Sequence, residues 1–260
     1  MKKILAILLI ALVALTFTSC NQPIDMVNVI SEEKQTDKTY ETLTKEEIEQ
    51  LYTNPNAYKD RSVTLSGKVG LIEHRKNSIV LEMLGDPTIS NTSTIVAYTG
   101  PTADVKSGDF VKVNGTMNSA MGKNPLIYAD SIEVVGYIDA LSPTIKSVDI
   151  QETQTLNGHS ITVEKVEFAQ TETRIYLTAQ NDGERQFYIF SSQTKIVQNG
   201  KQYGYQYNPV ANYPEIQTGL LPGATTEGII TFPPLDMCDF KVAFEDSRIN
   251  LYIFDIKVTP

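Results

Sequence analysis

The sequence predicts an all-β protein in which a small barrel is followed by a sandwich, behind an export signal and a polar tether. From Arg61 onward, apolar and polar residues alternate with a period of two, as in half-buried strands. Clusters of Gly, Pro, Asn and Asp separate these runs, and one short segment has the signals of a helix. The 260 residues, of which 41% are hydrophobic, suffice for one or two domains with an apolar core.

The N-terminal end has the order of a secretory signal. Met1-Lys2-Lys3 carries positive charge, residues 4–17 are almost wholly apolar, and Thr18-Ser19-Cys20 follows. The apolar run is shorter than the roughly 20 residues that a comfortable membrane span needs. We therefore expect residues 1–20 to be a signal peptide that is removed.

Cys20 stands directly after the apolar run, where bacterial lipoprotein signals place the cysteine that accepts lipid. We expect cleavage before Cys20 and attachment of diacylglycerol and palmitate to it. Two acyl chains give a stable anchor, at about 0.8 kcal/mol per buried CH₂. This predicts a lipid-anchored protein on the extracellular face of the cell membrane, favouring a Gram-positive cell. An ordinary secreted protein with a chance cysteine is the alternative.

The charge and cysteine content limit the partners and the cross-links. With 22 Lys and Arg residues against 31 Asp and Glu residues, the net charge of −9 disfavours nucleic acid, because phosphates require clustered cations. If Cys20 carries lipid, Cys238 has no partner for a disulfide within the chain, and we interpret it as a buried structural residue. Residues 21–43 are polar and are expected to form a flexible tether.

A short helix and five strands are predicted for residues 44–139. Thr44 and Glu47 have the spacing of a capping box, and the helix should end before Asn54-Pro55 because a residue preceding proline avoids the helical region. Five strands within so short a stretch fit a small barrel. The predicted strands begin at Arg61 and continue with Ser78–Leu84, Thr94–Tyr98, Asp109–Met117 and Leu126–Val135.

Residues 143–260 predict a second β domain, after a short linker at Ala140–Pro143. Asn181-Asp182-Gly183 and Asn199-Gly200 are turn signals that supply positive φ angles. Short strands with such turns indicate a sandwich of the immunoglobulin type, here without tryptophan or the antibody disulfide. The predicted strands are Lys146–Gln151, His159–Ala169, Arg174–Gln180, Gln186–Phe190, Lys195–Gln198, Gly228–Phe232, Phe240–Phe244 and Leu251–Val258.

Two stretches resemble known families. Residues 54–69, with Pro55 and Tyr58 before a turn and Gly67-Lys68-Val69 ending the first strand, resemble the start of an OB-fold domain of bacterial surface lipoproteins. Residues 108–115 resemble its fourth strand, so that this likeness covers roughly residues 44–137. It implies an OB-like barrel that binds ligands along its second and third strands and by two of its loops.

The second block resembles a telokin-like, Ig-like domain of unknown function that is often found on Gram-positive lipoproteins. The likeness rests on Asn199-Gly200 before Tyr203, and on Leu220-Leu221-Pro222-Gly223 leading into residues 227–232. It covers about residues 143–260. The family has no established activity, so the resemblance implies a fold and a location rather than a reaction.

The sequence carries no signature of catalysis, metal binding or a cofactor. His74 and His159 are the only two histidines and fall in different predicted domains, and no hydrolase, zinc or phosphate-loop motif is present. The nearby carboxylates at 236, 239, 245 and 246 lack the ordered spacing of a calcium loop. We therefore expect no enzymatic activity, although a pair of carboxylates that converge in space is invisible to sequence.

The predicted barrel offers one set of candidate ligand residues. Arg75 and Lys76 fall in its first loop and Lys123 in its last, and the three are expected to share one rim that attracts an anionic glycan or peptide. The alternative is that these loops only keep the barrel soluble. Tyr98, on the third strand, is a stacking platform in one interpretation and a core or edge aromatic in the other.

The predicted sandwich offers a second set. Tyr203, Tyr205 and Tyr207 alternate, with Tyr213 nearby, and on one strand the alternating three would share a face. Exposed tyrosines are frequent at recognition surfaces, whereas buried ones would simply close the sandwich.

The leading hypothesis is a non-catalytic binding or adaptor lipoprotein whose partner is a protein, a cell-wall glycan or an anionic ligand. A structural or stress-related envelope protein without a specific ligand is the first alternative. An unrecognised hydrolase is the second, and it requires two carboxylates in a cleft with raised pKa values. The sequence specifies neither the partner nor the oligomeric state, the physiological process or the orientation of the two domains.

Overall fold

A computed structural model of the chain describes residues 38–85, 92–100, 104–246 and 251–258. The signal peptide, Cys20 and nearly all of the predicted tether lie outside these residues. Thr39–Pro260 form one compact unit. Within the described ranges no helix is both long enough and apolar enough to cross a membrane.

The first elements of the fold contribute side chains to the barrel core. Strand β1 (Glu41–Thr42) pairs in parallel with the start of the first barrel strand, and helix α1 (Lys45–Thr53) follows. The predicted capping box is confirmed, because the Glu47 amide donates to the Thr44 hydroxyl and the Thr44 amide donates to the Glu47 carboxylate. A 3₁₀ turn (Pro55–Tyr58) comes next, and Leu51 and Tyr58 are buried in the barrel core.

Five strands form a closed barrel, as predicted. They are β2 (Ser62–Arg75), β3 (Ser78–Leu84), β4 (Ser93–Thr99), β5 (Phe110–Met121) and β6 (Asn124–Val135). Their order is β2-β3-β4-β6-β5, and β5 pairs back onto β2 to close the ring. The β4–β6 pair is parallel and the others are antiparallel. This connectivity is that of an OB-like barrel.

Glycines and irregularities in register allow the strands to curve into a ring. A Cβ at Gly67 would lie 2.5 Å from the Leu84 carbonyl oxygen, and one at Gly115 would collide with the Tyr128 carbonyl oxygen. The register shifts nearby, between Val69 and Ile72 and between Asn114 and Gly115. Such bulges sharpen the bend of a strand and are a common means of closing barrels.

The connection between the two β regions is partly helical. Helix α2 (Tyr137–Leu141) overlaps the first half of the predicted short linker at Ala140–Pro143. It ends at Ser142, which leaves the helical conformation with φ −141° and precedes Pro143.

Two four-stranded antiparallel sheets form the second region. One has the order β12-β9-β8-β7 and the other β11-β10-β13-β14. Side chains from both sheets belong to a single apolar core, with Phe168 edge-on to Phe240 at 6.3 Å between ring centroids. The strands are β7 (Thr144–Leu156), β8 (His159–Ala169), β9 (Thr173–Asn181), β10 (Lys195–Gln198), β11 (Lys201–Gly204), β12 (Thr225–Phe232), β13 (Phe240–Glu245) and β14 (Leu251–Ile256).

The predicted turns and one predicted strand of this region differ in outcome. Asn199-Gly200 has the predicted positive φ angles, of 52° and 76°. The chain also turns after Asn181, where the Gly183 amide donates to Asn181 Oδ1 at 3.0 Å, but residues 181–183 lack the predicted positive φ angles. Asn181 ends β9, and its buried side chain donates to the carbonyls of Arg185 and Leu220. The predicted strand at 186–190 is also wrong. Phe187 and Ile189 form isolated bridges to two different segments, so no ladder develops.

Candidate ligand pocket

The segment between β11 and β12 runs along the exposed edge of β12. The Gln206 amide donates to the Thr231 carbonyl at 2.8 Å, and the Ile229 amide donates to the Pro214 carbonyl at 2.9 Å. Farther on, the Gln217 amide donates to the Thr226 hydroxyl at 3.0 Å. The edge strand is thereby covered at both ends of the segment, while residues 207–213 bulge away from it.

This bulge creates a small pocket, about 40 Å³ in volume, that is partly open to solvent. We call it the tyrosine pocket. It is lined by Tyr205, Tyr207, Asn208, Asn212, Tyr213, Glu215, Ile229 and Thr231. Tyr207 is 60% exposed and Tyr205 is half-buried against the sandwich core. A concave site with aromatic walls and a few polar groups is the usual form of a small-ligand site.

Asn208 shapes the bulge from inside. Its side-chain oxygen accepts hydrogen bonds from the amides of Val210 and Ala211, at 3.1 and 3.2 Å. Its Nδ2 donates to the Tyr137 hydroxyl and to Glu172 Oε2, both at 2.8 Å. The loop therefore has a fixed conformation, which reduces the entropy lost when a ligand binds.

Tyr213 is held equally firmly on another wall. Its hydroxyl donates to Glu172 Oε1 at 2.5 Å and accepts from Arg174 Nη1 at 3.3 Å. Its ring lies edge-on to that of Tyr137, with 5.7 Å between centroids. Burial, together with the hydrogen bond to Glu172, raises the pKa of Tyr213 well above the ordinary range of a phenol.

Behind the pocket lies a buried ionic group that we call the Arg174 cluster. Arg174 is fully buried, and its Nε donates to Glu167 and its Nη1 to Glu172, at 3.1 and 3.0 Å. Its Nη1 also donates to the Ser142 carbonyl at 2.9 Å, and its Nη2 donates to the Thr144 hydroxyl at 2.7 Å. Ser142 and Thr144 follow α2, so this cluster fixes the connection between the two β regions as well as the pocket wall.

A lysine and a phenol complete the cluster around Glu167. Lys165 donates to Glu167 at 2.5 Å and Tyr176 does so at 2.9 Å. The cluster thus pairs the carboxylates of Glu167 and Glu172 with two cations, Lys165 and Arg174. Burial raises the pKa of Glu167, but the hydrogen bonds from Lys165 and Tyr176 and the charges of Lys165 and Arg174 outweigh it and leave it lowered. Burial and the bond to Glu167 raise the pKa of Tyr176 above its ordinary value.

The three tyrosines singled out from the sequence do not share one strand face. Tyr203 lies on β11 and is half-buried against the sandwich core, with Lys201 Nζ 4.9 Å from its ring centre. The strand ends at Gly204 because Gln206 pairs with Thr231 instead of continuing the ladder. Tyr205 and Tyr207 then line the pocket, where Asn208 and Glu215 join them, two residues that the sequence did not single out.

The candidate cations of the barrel do not form one rim. Arg75 precedes the turn into β3, where Ser78 pairs with Thr99 at one end of β4. Lys123 precedes β6, whose first residues run beside the other end of β4, as Leu126 pairs with Ile95. At about 3.3 Å per residue the two turns lie on the order of 20 Å apart along β4. The prediction of a shared rim was therefore wrong.

The remaining barrel candidates have other contacts. Arg75 donates to the neighbouring Glu73 at 2.9 and 3.2 Å, which offsets its charge, while Lys76 and Lys123 are exposed. Tyr98 is half-buried against the barrel core, and its hydroxyl lies where a Cβ at Gly100 would be. These contacts favour the interpretation of Tyr98 as a core or edge aromatic.

The groups considered for catalysis or metal binding are dispersed. His74 is exposed on β2, whereas His159 is buried and stacked on Phe187 at 4.5 Å between ring centroids. Asp239 accepts from Lys257 and from the Val258 amide, at 2.8 and 2.9 Å. Cys238 is half-buried. Among the described residues, no three His, Cys, Asp or Glu side chains are grouped so as to hold a metal ion.

No protein-family model and no curated protein matches the sequence. Among solved structures, the chain is similar in part to ycdA of Bacillus subtilis, a provisionally assigned lipoprotein, over 42% of this chain and 39% of that one, with 9% identity and a TM-score of 0.37. A functionally unknown protein of Listeria monocytogenes matches over 45% of this chain and 88% of its own, with 9% identity and a TM-score of 0.38. A conserved domain protein of Bacillus anthracis matches over 79% and 93%, with 11% identity and a TM-score of 0.33. Superpositions of this quality establish no shared function.

Proposed function

We propose that the chain is a lipid-anchored protein of the cell envelope that binds a ligand in the tyrosine pocket without transforming it. The observation that carries the proposal is the pocket itself. An exposed aromatic ring, Tyr207, stands beside polar groups that the Arg174 cluster holds in place. Exposed tyrosines in fixed surroundings contribute strongly to binding because they lose little conformational entropy.

The chemistry of the pocket supports binding in preference to catalysis. Burial first, and then Glu215 and Tyr207, raise the pKa of Tyr205, and burial and Glu172 raise that of Tyr213. Both phenols are therefore protonated at neutral pH and cannot act as general bases. Both oxygens of Glu172 already accept hydrogen bonds, from Asn208 and from Tyr213.

The N-terminal sequence supports the proposed location. A lipidated Cys20 and a polar tether that ends before β1 would hold the folded unit at the extracellular face of the membrane. The predicted tether over residues 21–43 is too long at its end, because Glu41–Thr42 pair with the barrel and Leu43 is buried in its core. We further propose that the two sheets with their common core represent an Ig-like domain. The antiparallel pairing and the shared core of the two sheets support this.

A sedimentation experiment tests the binding role. Full-length protein in detergent is mixed with purified cell-wall sacculi or with envelope stripped of its own copies, and the co-sedimenting fraction is measured. Tyr207→Ala should reduce that fraction at least fivefold while changing the free energy of unfolding by less than about 0.5 kcal/mol, because Tyr207 is an exposed side chain. Tyr128→Ala is the matched control, since Tyr128 is 52% exposed on the barrel. Equal retention of wild type and both variants would contradict the proposal.

Metabolic labelling tests the anchor. Cells that express the wild type should incorporate a clickable fatty acid into the protein, whereas Cys20→Ala should abolish the label. The variant should also leave the membrane fraction or keep its signal peptide. Undiminished incorporation into Cys20→Ala would show that the lipid is elsewhere, and Cys238→Ala, which should label normally, is the matched control.

A further inference from the structure

The lining of the tyrosine pocket contains a negatively charged side chain and no positively charged one. Three of its eight lining residues are tyrosines, one is the acidic Glu215, and none is Lys, Arg or His. The face of an aromatic ring is negative because of its quadrupole, and a carboxylate adds a full negative charge. The lining therefore favours a positively charged ligand and opposes an anionic one.

The cation behind the pocket does not reverse this preference. Arg174 Nη1 contacts the lining at the Tyr213 hydroxyl, at 3.3 Å, but the same hydroxyl donates to Glu172 Oε1 at 2.5 Å. Glu172 Oε2 also accepts from the lining residue Asn208, at 2.8 Å. Glu167 and Lys165 form a second pair on the far side of the guanidinium, so the buried charges cancel. Of the charged groups behind the lining, the Glu172 carboxylate thus makes shorter contacts with it than the Arg174 guanidinium does.

The raised pKa of Tyr205 is a second indication that the pocket has a negative electrostatic potential. Burial is its main cause, and the Glu215 carboxylate adds to it because a phenolate beside a carboxylate is repelled. The same Glu215 carboxylate would attract a cation bound at this position. The net charge of the whole chain, −9, would also draw cations toward it.

We infer that the tyrosine pocket binds a compact organic cation, namely an ammonium or methylated ammonium group. This inference rests on the proposed binding function and specifies its ligand class. A pocket of about 40 Å³ that is partly open to solvent admits the cationic group alone and leaves the rest of the ligand outside. A cation over an aromatic face gains only a modest free energy per ring, so a weak but saturable interaction is expected.

Choline chloride serves as the probe, and 3,3-dimethyl-1-butanol, which has the same shape without the charge, is the control ligand. Full-length protein with ¹³C-labelled tyrosine is titrated with each by NMR at constant ionic strength. We expect saturable shifts with choline in the millimolar range and binding of the neutral alcohol at least tenfold weaker. Glu215→Gln should weaken choline at least threefold and Tyr207→Ala should abolish its binding. Glu133→Gln, an exposed change on the barrel, should have no effect.

The outcomes separate this inference from the proposed function. Equal affinity for choline and the neutral alcohol would overturn the cation inference, as would a Glu215→Gln variant that binds choline as the wild type does. Absence of choline binding, together with Tyr207-dependent co-sedimentation with the envelope, would also overturn the inference while the binding function stands. If both experiments fail, the pocket is not a ligand site.

Discussion

The barrel and the sandwich bury very different side chains. Among the described residues of the barrel, Thr94 is the one buried polar side chain, and the remainder of its core is apolar. The sandwich buries a charged cluster around Arg174 in addition to its apolar core. A buried ion pair is seldom more stable than an apolar packing of the same volume. Its contacts with the pocket wall and with the residues after α2 indicate that it serves the shape of the pocket and of the connection to the barrel.

Tyr137 contacts both regions of the molecule. Its ring lies edge-on to Phe110 of β5 at 5.5 Å and to Tyr213 of the pocket at 5.7 Å. Its hydroxyl accepts from Asn208 of the pocket loop. Helix α2 is thus packed against the barrel on one side and the ligand pocket on the other.

The largest expected effect comes from breaking the Arg174 cluster. Arg174→Met should lower the free energy of unfolding by about 3–5 kcal/mol, because Glu167 and Glu172 would remain buried without their cation. Urea unfolding monitored by circular dichroism measures this. Lys241→Met, which removes an exposed ion pair with Asp255, is the control and should cost less than about 1 kcal/mol. A loss below 1 kcal/mol for Arg174→Met would show that the cluster is unimportant for the sandwich.

Lowering the pH is expected to have a smaller effect on the stability of the sandwich. The pKa of Glu167 in the folded protein lies below its ordinary value of 4.5, because hydrogen bonds and cations outweigh burial. The folded state therefore binds this proton less readily than the unfolded state, and the stabilisation is complete above pH 4.5 and is lost as the pH falls through the folded pKa. Hydrogen exchange at pH 7 and pH 3.5 should show that protection falls more in β8 and β9 than in β2 and β5. Glu167→Gln should flatten this difference, and equal losses in both regions would contradict the prediction.

What the sequence could predict depends on how local the interaction is. The capping box joins Thr44 to Glu47, so its spacing is visible directly. Barrel strands show their period of two because one face of each is buried. The closure of β2 on β5 and the opposite placement of Arg75 and Lys123 depend on register between distant strands, which periodicity does not specify.

Only part of the candidate site could be predicted, because the rest depends on pairing and packing between distant segments. The alternation of Tyr205 and Tyr207 marked the segment, but the pairing of Gln206 with Thr231 removes it from β11. In the sequence, Arg174 has the pattern of an ordinary polar residue of a strand. Its burial arises from its partners, at positions 142, 167, 172 and 213. Such a cluster is invisible until the sheets are packed.

The most direct test of the recognition role compares the exposed tyrosines of the two regions within one sample. Full-length protein is subjected to hydroxyl-radical footprinting with and without purified envelope, and oxidation of Tyr207 and Tyr128 is measured by mass spectrometry. We predict that envelope slows the oxidation of Tyr207 at least threefold and leaves that of Tyr128 unchanged, although the two are 60% and 52% exposed in the free protein. Unchanged oxidation of Tyr207, or protection of Tyr128 alone, would contradict a recognition site in the tyrosine pocket.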